Sequence, residues 1–289
     1  MPQDIAPSAP VTSHDLAANP SAVPLSETTD GGPVVGFDLD MTLVDSRRGI
    51  GAVYRALAAE TGTDIDVDLV TSRLGPPLEH EIANWFPPEQ VVAMSDRYRA
   101  LYPTHAIADT TAMPGAREAL AAVRAAGGRV LVVTAKNRAH AALHLSHLGL
   151  EPDLLIGGLW AEAKGTALRA QGASVYVGDH IGDVRGARTA DAVSVAVATG
   201  PCDEEELRAA GADVVLGTLD AFAAWLGEYV GGADAGSGAD AGSAAGGGSG
   251  ADVGGAAGSG RTGVGGGVGG GAGRADDAEG VGDAGGPAV

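Results

Sequence analysis

Between residues 33 and 230, short apolar runs alternate with helical segments, and that alternation leaves few folds open. Val34-Val35-Gly36-Phe37, Arg129-Val130-Leu131-Val132-Val133, Ser174-Val175-Tyr176-Val177 and Val193-Ser194-Val195-Ala196-Val197 each read as a buried strand. Asp213-Val214-Val215-Leu216 is a weaker fifth, and Leu154-Leu155-Ile156 is a further candidate. Helices are expected between them. Ala116–Ala126 follows Pro114-Gly115 and stops at Gly127-Gly128, and Ala139–Leu148 stops at Gly149. Asp203–Ala210 opens on acids, which suit the positive end of a helix. Such alternation predicts a parallel sheet with helices on both faces. Apolar residues make up 45% of the chain and aromatic residues only 4%, so the core must be built from Ala, Val and Leu.

One stretch breaks the pattern. From Ser46 to about Met113 no convincing strand occurs. Ile50, Val53, Tyr54, Leu57 and Ala58 fall at helical spacing. So do Leu78, Ile82, Trp85 and Phe86, and then Val91, Met94, Tyr98, Leu101 and Tyr102. The expected organisation is a core of residues 33–46 and 113–230, interrupted by an all-helical insert of residues 47–112 with the size and position of a cap domain. Both ends are expected to be disordered. Residues 1–32 are rich in Pro, Ser, Ala and Thr, and residues 231–289 hold 25 of the 47 glycines. Ordering such a tail would cost more chain entropy than its burial could offset.

Charge and cysteine content narrow the function classes. The formal net charge is −19, which repels nucleic acid and anionic lipid, so neither is an expected partner. A small phosphate ester is not excluded, because one site can be positive inside a negative molecule. The single cysteine, Cys202, permits no disulfide within the chain and no Cys-based zinc site. Met1-Pro2-Gln3-Asp4 begins no basic segment followed by an apolar run, and no stretch approaches the roughly 20 apolar residues of a membrane span. A cytoplasmic protein, monomer or homodimer, is the expectation.

The chemistry-bearing residues sit where apolar runs end. The first run leads into Asp38-Leu39-Asp40-Met41-Thr42-Leu43-Val44-Asp45-Ser46. Ligands of open parallel sheets bind at the carboxyl ends of strands. Two neighbouring carboxylates repel unless a cation or a shared proton relieves them, and Mg²⁺ with its oxygen ligands would do so. Alone, the pair reads equally as two solvated turn acids. A second acidic loop, Gly178-Asp179-His180-Ile181-Gly182-Asp183, follows the run at 174–177, and its acids serve either a shared metal or a helix cap. Thr134 ends the run at 129–133, where its hydroxyl and the amides of Ala135 and beyond could hold phosphate oxygens. Lys164 lies near the start of an expected helix, Glu162–Ala170.

Together these pieces resemble the signature of the haloacid dehalogenase superfamily. Asp38-x-Asp40-x-Thr42 is similar to its first motif, Thr134 to its second, Lys164 to its third and Gly178-Asp179-x-x-x-Asp183 to its fourth. Asp38–Ser46 and Val133-Thr134-Ala135-Lys136 most resemble the phosphoglycolate phosphatase group. The resemblance covers about residues 33–230. It implies a Rossmann-like three-layer αβα core with an inserted helical cap. It also implies an Mg²⁺-dependent phosphatase acting on a small-molecule phosphate monoester. Asp38 would be the nucleophile that forms an aspartyl-phosphate. Asp40 would be general acid and base, with its backbone carbonyl on Mg²⁺. Thr134 and Lys164 would hold the phosphoryl group, and Asp38, Asp179 and Asp183 would complete the metal site. On this reading Lys164→Ala should impair phosphoryl stabilisation rather than folding.

Three positions depart from the family pattern. Met41 stands where Gly is usual, which should narrow the loop and shape the pocket. Gly165 stands where Pro is frequent, and Asp191 stands in place of Gly in Ala190-Asp191, a position an Asp tolerates in a left-handed turn. Substrate contacts are expected from Thr42, Ala135, Arg47, Arg48, Arg73 and the Gly75-Pro76-Pro77 segment, which also reads simply as a turn before a helix. His80 reads as exposed, and His140, His144 and His147 as ordinary residues of a polar helix face. A phosphomutase of the same superfamily is the alternative, with a dehalogenase or a non-catalytic binding module further behind.

Overall fold

The computed structural model describes residues 31–237. In chain order, β1 (Val34–Phe37) leads into a tight turn, and β2 (Val44–Asp45) opens the helical stretch. That stretch holds α1 (Arg47–Thr61), α2 (Val67–Ser72), α3 (Leu78–Ile82), a 3₁₀ turn at Pro88–Gln90 and α4 (Val91–His105). It closes at β3 (Thr111–Ala112), which pairs antiparallel with β2. The chain continues through α5 (Ala116–Ala125), β4 (Arg129–Val133), α6 (Arg138–Leu148), β5 (Leu154–Ile156) and α7 (Glu162–Ala170). Then come β6 (Val175–Gly178), α8 (Ile181–Ala190), β7 (Val193–Val197), α9 (Glu204–Ala210), β8 (Val214–Leu216) and α10 (Phe222–Ser237).

The six long-range strands form one parallel sheet in the order β5-β4-β1-β6-β7-β8. Side chains alternate across it, as the period of a strand requires. Val35, Phe37, Val130, Val132, Val175 and Val177 face α5, α6 and α10, where Leu120, Val123, Leu145, Phe222 and Leu226 are buried with them. Leu131, Val133 and Tyr176 face the opposite layer, against Leu168 of α7 and Ala187 of α8. The strand-by-strand alternation of the sequence is therefore a three-layer α/β fold.

The helical stretch has a core of its own. Ile50, Val53, Tyr54 and Leu57 of α1 meet Ile82, Phe86, Tyr98, Leu101 and Tyr102. The expected spacing holds for α1 and α4, whereas α3 ends at Ile82 and leaves Trp85 and Phe86 in the following turn. The short β3 is a strand that hydrophobic periodicity did not predict, because two residues carry no period.

The segments expected to be disordered lie outside the described residues except at their inner edges. There the tail boundary at 231 is corrected, since α10 runs on to Ser237. Its first turns are anchored by buried Phe222 and Leu226, and extending a helix already nucleated costs far less than starting one. Among the described residues no helix is long and apolar enough to cross a membrane.

Candidate active site

Three neighbouring strands, β4, β1 and β6, deliver their carboxyl ends to one place. Asp38 follows β1, and its amide donates to the Val177 carbonyl at 2.8 Å, which extends the ladder one residue past the strand. The chain then turns sharply. Met41 takes a left-handed conformation at φ 58° with its amide bonded to the Val44 carbonyl at 2.8 Å, and the Thr199 hydroxyl caps the Met41 carbonyl at 2.6 Å. A non-glycine residue there costs on the order of 1–2 kcal/mol. Met41 is buried and lines a small secondary cavity of about 80 Å³.

Asp179 and Asp183 come from the loop after β6 and the first turn of α8. His180 caps α8 by accepting from the Gly182 amide at 2.9 Å, and Asp183 accepts from the His180 amide at 3.1 Å. Asp183 thus serves both a capping box and the acid cluster. Gly178 makes room for it, since a Cβ there would lie 2.4 Å from the Asp183 carboxylate. Thr42 donates to Asp179 at 2.8 Å, tying the first loop to the second.

Lys164 of α7 completes the cluster from below. Its ammonium lies 2.6 Å from Asp183 Oδ1 and 3.1 Å from Asp38 Oδ1, and its side chain is fully buried. Gly165 lets α7 lie directly on α8, because a Cβ there would meet the Gly186 carbonyl at 2.4 Å. The departure from Pro at this position is therefore a helix-packing requirement. Asp191 adopts the left-handed C-cap of α8 at φ 57°, as its sequence context predicted.

The electrostatics are those of a crowded acid site. Burial raises Asp38, Lys164 pulls it back, and Asp183 and Asp40 push it up again, leaving its pKa at about 6. Burial, then Asp183 and Asp38, hold Asp179 well above the ordinary carboxylate range. Burial opposes the charge on Lys164, but Asp183 and Asp38 outweigh it and keep the ammonium protonated. Carboxylate oxygens of Asp38, Asp179 and Asp183 all lie within 4.8 Å of one another. Asp38 Oδ1 is buried and has no aligned hydrogen bond, the Lys164 ammonium being close but off axis. Three hard oxygen donors with an unsatisfied lone pair among them suit a hard divalent cation.

Asp40 points elsewhere. Its Oδ1 accepts from Ser46 at 2.5 Å and pairs with Lys136 at 3.1 Å. Lys136 also donates to the Tyr102 hydroxyl at 2.7 Å, and that hydroxyl lies 2.8 Å from His144 Nε2. Because Lys136 has only protons to give, Tyr102 must direct its own proton to His144. Asp40, Lys136 and Tyr102 border a cavity of about 340 Å³ between the sheet and the helical stretch.

The structure brings most of the expected residues together. Thr134, buried at the end of β4, accepts from the Lys136 amide at 3.3 Å, and Ala135, Arg73 and Gly75 line the large cavity. The Asp40 carboxylate, expected to transfer protons rather than bind a metal, stands apart from the acid cluster, engaged by Ser46 and Lys136. Two expectations are corrected. Arg47 and Arg48 do not reach the large cavity: they open α1 on its exposed side, and Arg47, held by Asp45 at 2.6 Å, borders only the small cavity beside Met41. His140 and His144 are buried rather than on a polar face, since α4 covers that side of α6. Burial and then Lys136 bring both to a pKa of about 4, so both are neutral. His80 is exposed, as expected.

Residues 35–188, more than half of the chain, match the family model of haloacid dehalogenase-like hydrolases. The chain belongs to the haloacid dehalogenase-like hydrolases. A second model of the same kind, HAD-hydrolase-like, matches residues 158–222. Among relatives of this family member, a phosphoglycolate phosphatase of Caulobacter vibrioides is 30% identical over 206 residues, covering 64% of this chain and 86% of that protein. A tyrosine-protein kinase, PtkA, of Mycobacterium tuberculosis is 34% identical over 119 residues, and the match spans 41% of the length of each. A predicted phosphatase from Clostridium acetobutylicum has a similar structure, with TM-score 0.60, 25% identity, and coverage of 68% of this chain and 99% of that one.

Two groups at the site are not singled out by the sequence. Lys136 stands two residues after Thr134 and was legible as part of the same strand-end turn. Tyr102 was read only as a core position, because its partner Lys136 lies 34 residues away and only the docking of α4 joins them.

Proposed function

We propose that the chain is a phosphatase that hydrolyses a small phosphate monoester through a covalent phosphoryl-Asp38 intermediate. The observation that carries this reading is the buried Asp38 carboxylate, set between Lys164 and two further acids, with Asp40 two residues on at the cavity wall. The phosphoglycolate phosphatase relative supports the reaction class.

In the first step Asp38 attacks phosphorus and the bond to the leaving oxygen breaks. Asp40 delivers a proton to that oxygen. In the second step Asp40 takes a proton from water, the water attacks the phosphorus of the acyl phosphate, and inorganic phosphate leaves with Asp38 restored. Both contacts of Asp40 fall on Oδ1, which leaves Oδ2 for the substrate. Lys164 and the Thr134 hydroxyl hold the transferring oxygens. Asp38, Asp179 and Asp183, with the Asp40 carbonyl, would hold Mg²⁺. When bound, that ion supplies charge neutralisation for the phosphoryl group and the nucleophile. The helices of residues 47–112 act as a cap that excludes bulk water.

The test is phosphate release from an aryl phosphate with Mg²⁺ or with EDTA. Release that depends on the metal is expected, and Asp40→Asn should lower kcat by about 10²–10⁴-fold. Metal-independent release, or a wild-type rate in Asp40→Asn, would contradict the mechanism.

The acid cluster also predicts a pH signature that needs no substrate. Asp38 rises from an ordinary 3.8 to about 6, so the folded metal-free chain keeps a proton that the unfolded chain releases. Its stability should therefore fall as pH rises through that window. Mg²⁺ binds the ionised cluster, so the rise in Tm on adding it should be larger at pH 7.5 than at pH 5. Thermal denaturation at both values, with and without the ion, reads this directly.

A further inference from the structure

The cavity beside Asp40 has a charge balance that restricts what can leave from it. Its lining contains three cations, Arg73, Arg99 and Lys136, and three carboxylates, Asp40, Glu79 and Glu81. Arg73 grips Glu81 with both arms, at 2.8 and 2.7 Å, and the Trp85 indole donates to the same carboxylate at 2.7 Å. Arg99 pairs with Glu79 and, at 3.2 Å, with Asp96. Lys136 is committed to Asp40 and to Tyr102. His140, the remaining basic side chain in the lining, is neutral. Among the described residues of the lining, every cation already faces a carboxylate.

An anionic group entering this space would find no free counter-charge. Glu81 takes the Nε–Nη2 edge of Arg73 and is itself only 16% exposed and fixed by three donors, so an anion can meet only the remaining Nη1 of a guanidinium whose charge is already balanced. Otherwise it lies beside Glu79 and Glu81 and is repelled by both. Apart from the Asn137 amide and the neutral His140, the rest of the wall is largely apolar or phenolic, including Ile50, Leu74, Leu78, Leu159 and Tyr54. At about 340 Å³ the space lies at the small end of small-molecule sites.

Resting on the phosphatase reading above, we infer that the alcohol released from this site is uncharged, with an apolar or aromatic face. Esters whose leaving group carries a carboxylate or a second phosphate are disfavoured. Phosphoglycolate is therefore a poor substrate, and the bisphosphate that a mutase cycle requires has no cation to receive its second phosphate.

The test is kcat/KM for matched pairs, phenyl phosphate against 4-carboxyphenyl phosphate and 2-hydroxyethyl phosphate against phosphoglycolate, with Mg²⁺ present. The neutral member of each pair should be favoured by about tenfold or more, the scale of one unrelieved like-charge contact. Glu81→Gln releases Arg73 and should narrow that ratio severalfold. Equal or reversed preference in the wild type, or an unchanged ratio in Glu81→Gln, would overturn the inference. Calorimetric binding of the same esters to Asp38→Asn separates the two readings. Tighter binding of the neutral esters without wild-type turnover would sustain the charge rule and sink the phosphatase reading. Equal binding, or none, would overturn the charge rule.

Discussion

Asp38→Asn is expected to remove turnover, by on the order of 10⁴-fold or more, the usual consequence of deleting a covalent nucleophile. The same substitution should raise the Tm of the metal-free chain. Asp38 is buried in contact with Lys164 and near Asp179 and Asp183, and its pKa of about 6 means that ionisation at neutral pH works against the fold. An amide of the same shape removes one of the repelling charges. The opposed signs make the experiment informative: a merely damaged protein loses both activity and stability. Thermal melts without metal at pH 7.5, set beside phosphate release with Mg²⁺, provide both numbers. A variant with wild-type turnover would end the proposed mechanism, whatever its stability.

Lys164→Met should be the most destabilising single change in the site. The expectation from sequence was a catalytic defect with the fold intact. The buried ammonium between Asp183 and Asp38 changes that. Removing one partner of a buried ion pair leaves an uncompensated charge and costs about 3–5 kcal/mol. For a domain of this size each kcal/mol is worth about 2–4 °C in Tm, so a fall on the order of 10 °C is expected. Phosphate release should also be lost. Adding Asp183→Asn to the same chain should recover much of the Tm and none of the turnover. A single variant that melts like the wild type would show that Lys164 does not neutralise the cluster.

Much of the site was legible because its residues stand at places that strand periodicity already marks. Asp38, Thr134 and Asp179 each follow a predicted strand, and a parallel sheet brings such ends together without further information. What escaped was set by docking between segments. The Arg73–Glu81 pair and the Lys136–Tyr102 contact depend on how the helices between β2 and β3 fold and lie over the sheet, which no local pattern encodes. His140 and His144 were misread for the same reason. Their helix has one apolar face for the sheet, and the second burial comes from Tyr102 on α4, stacked 4.2 Å from the His140 ring. Arg47 and Arg48, expected among the substrate contacts, lie on the exposed side of α1, where Arg47 borders only the small cavity beside Met41.

The two-residue pairing of Val44 with Ala112 and Asp45 with Thr111 has a consequence for the history of such a chain. It brings the ends of a long excursion back to neighbouring positions, so the sheet sees the excursion as a hairpin. Closure entropy grows only with the logarithm of length, about 0.6 kcal/mol for each doubling. Lengthening the excursion, shortening it or exchanging it for another would thus cost the sheet little. The strand ends and their acids can stay fixed while the helices that overlie them are traded freely.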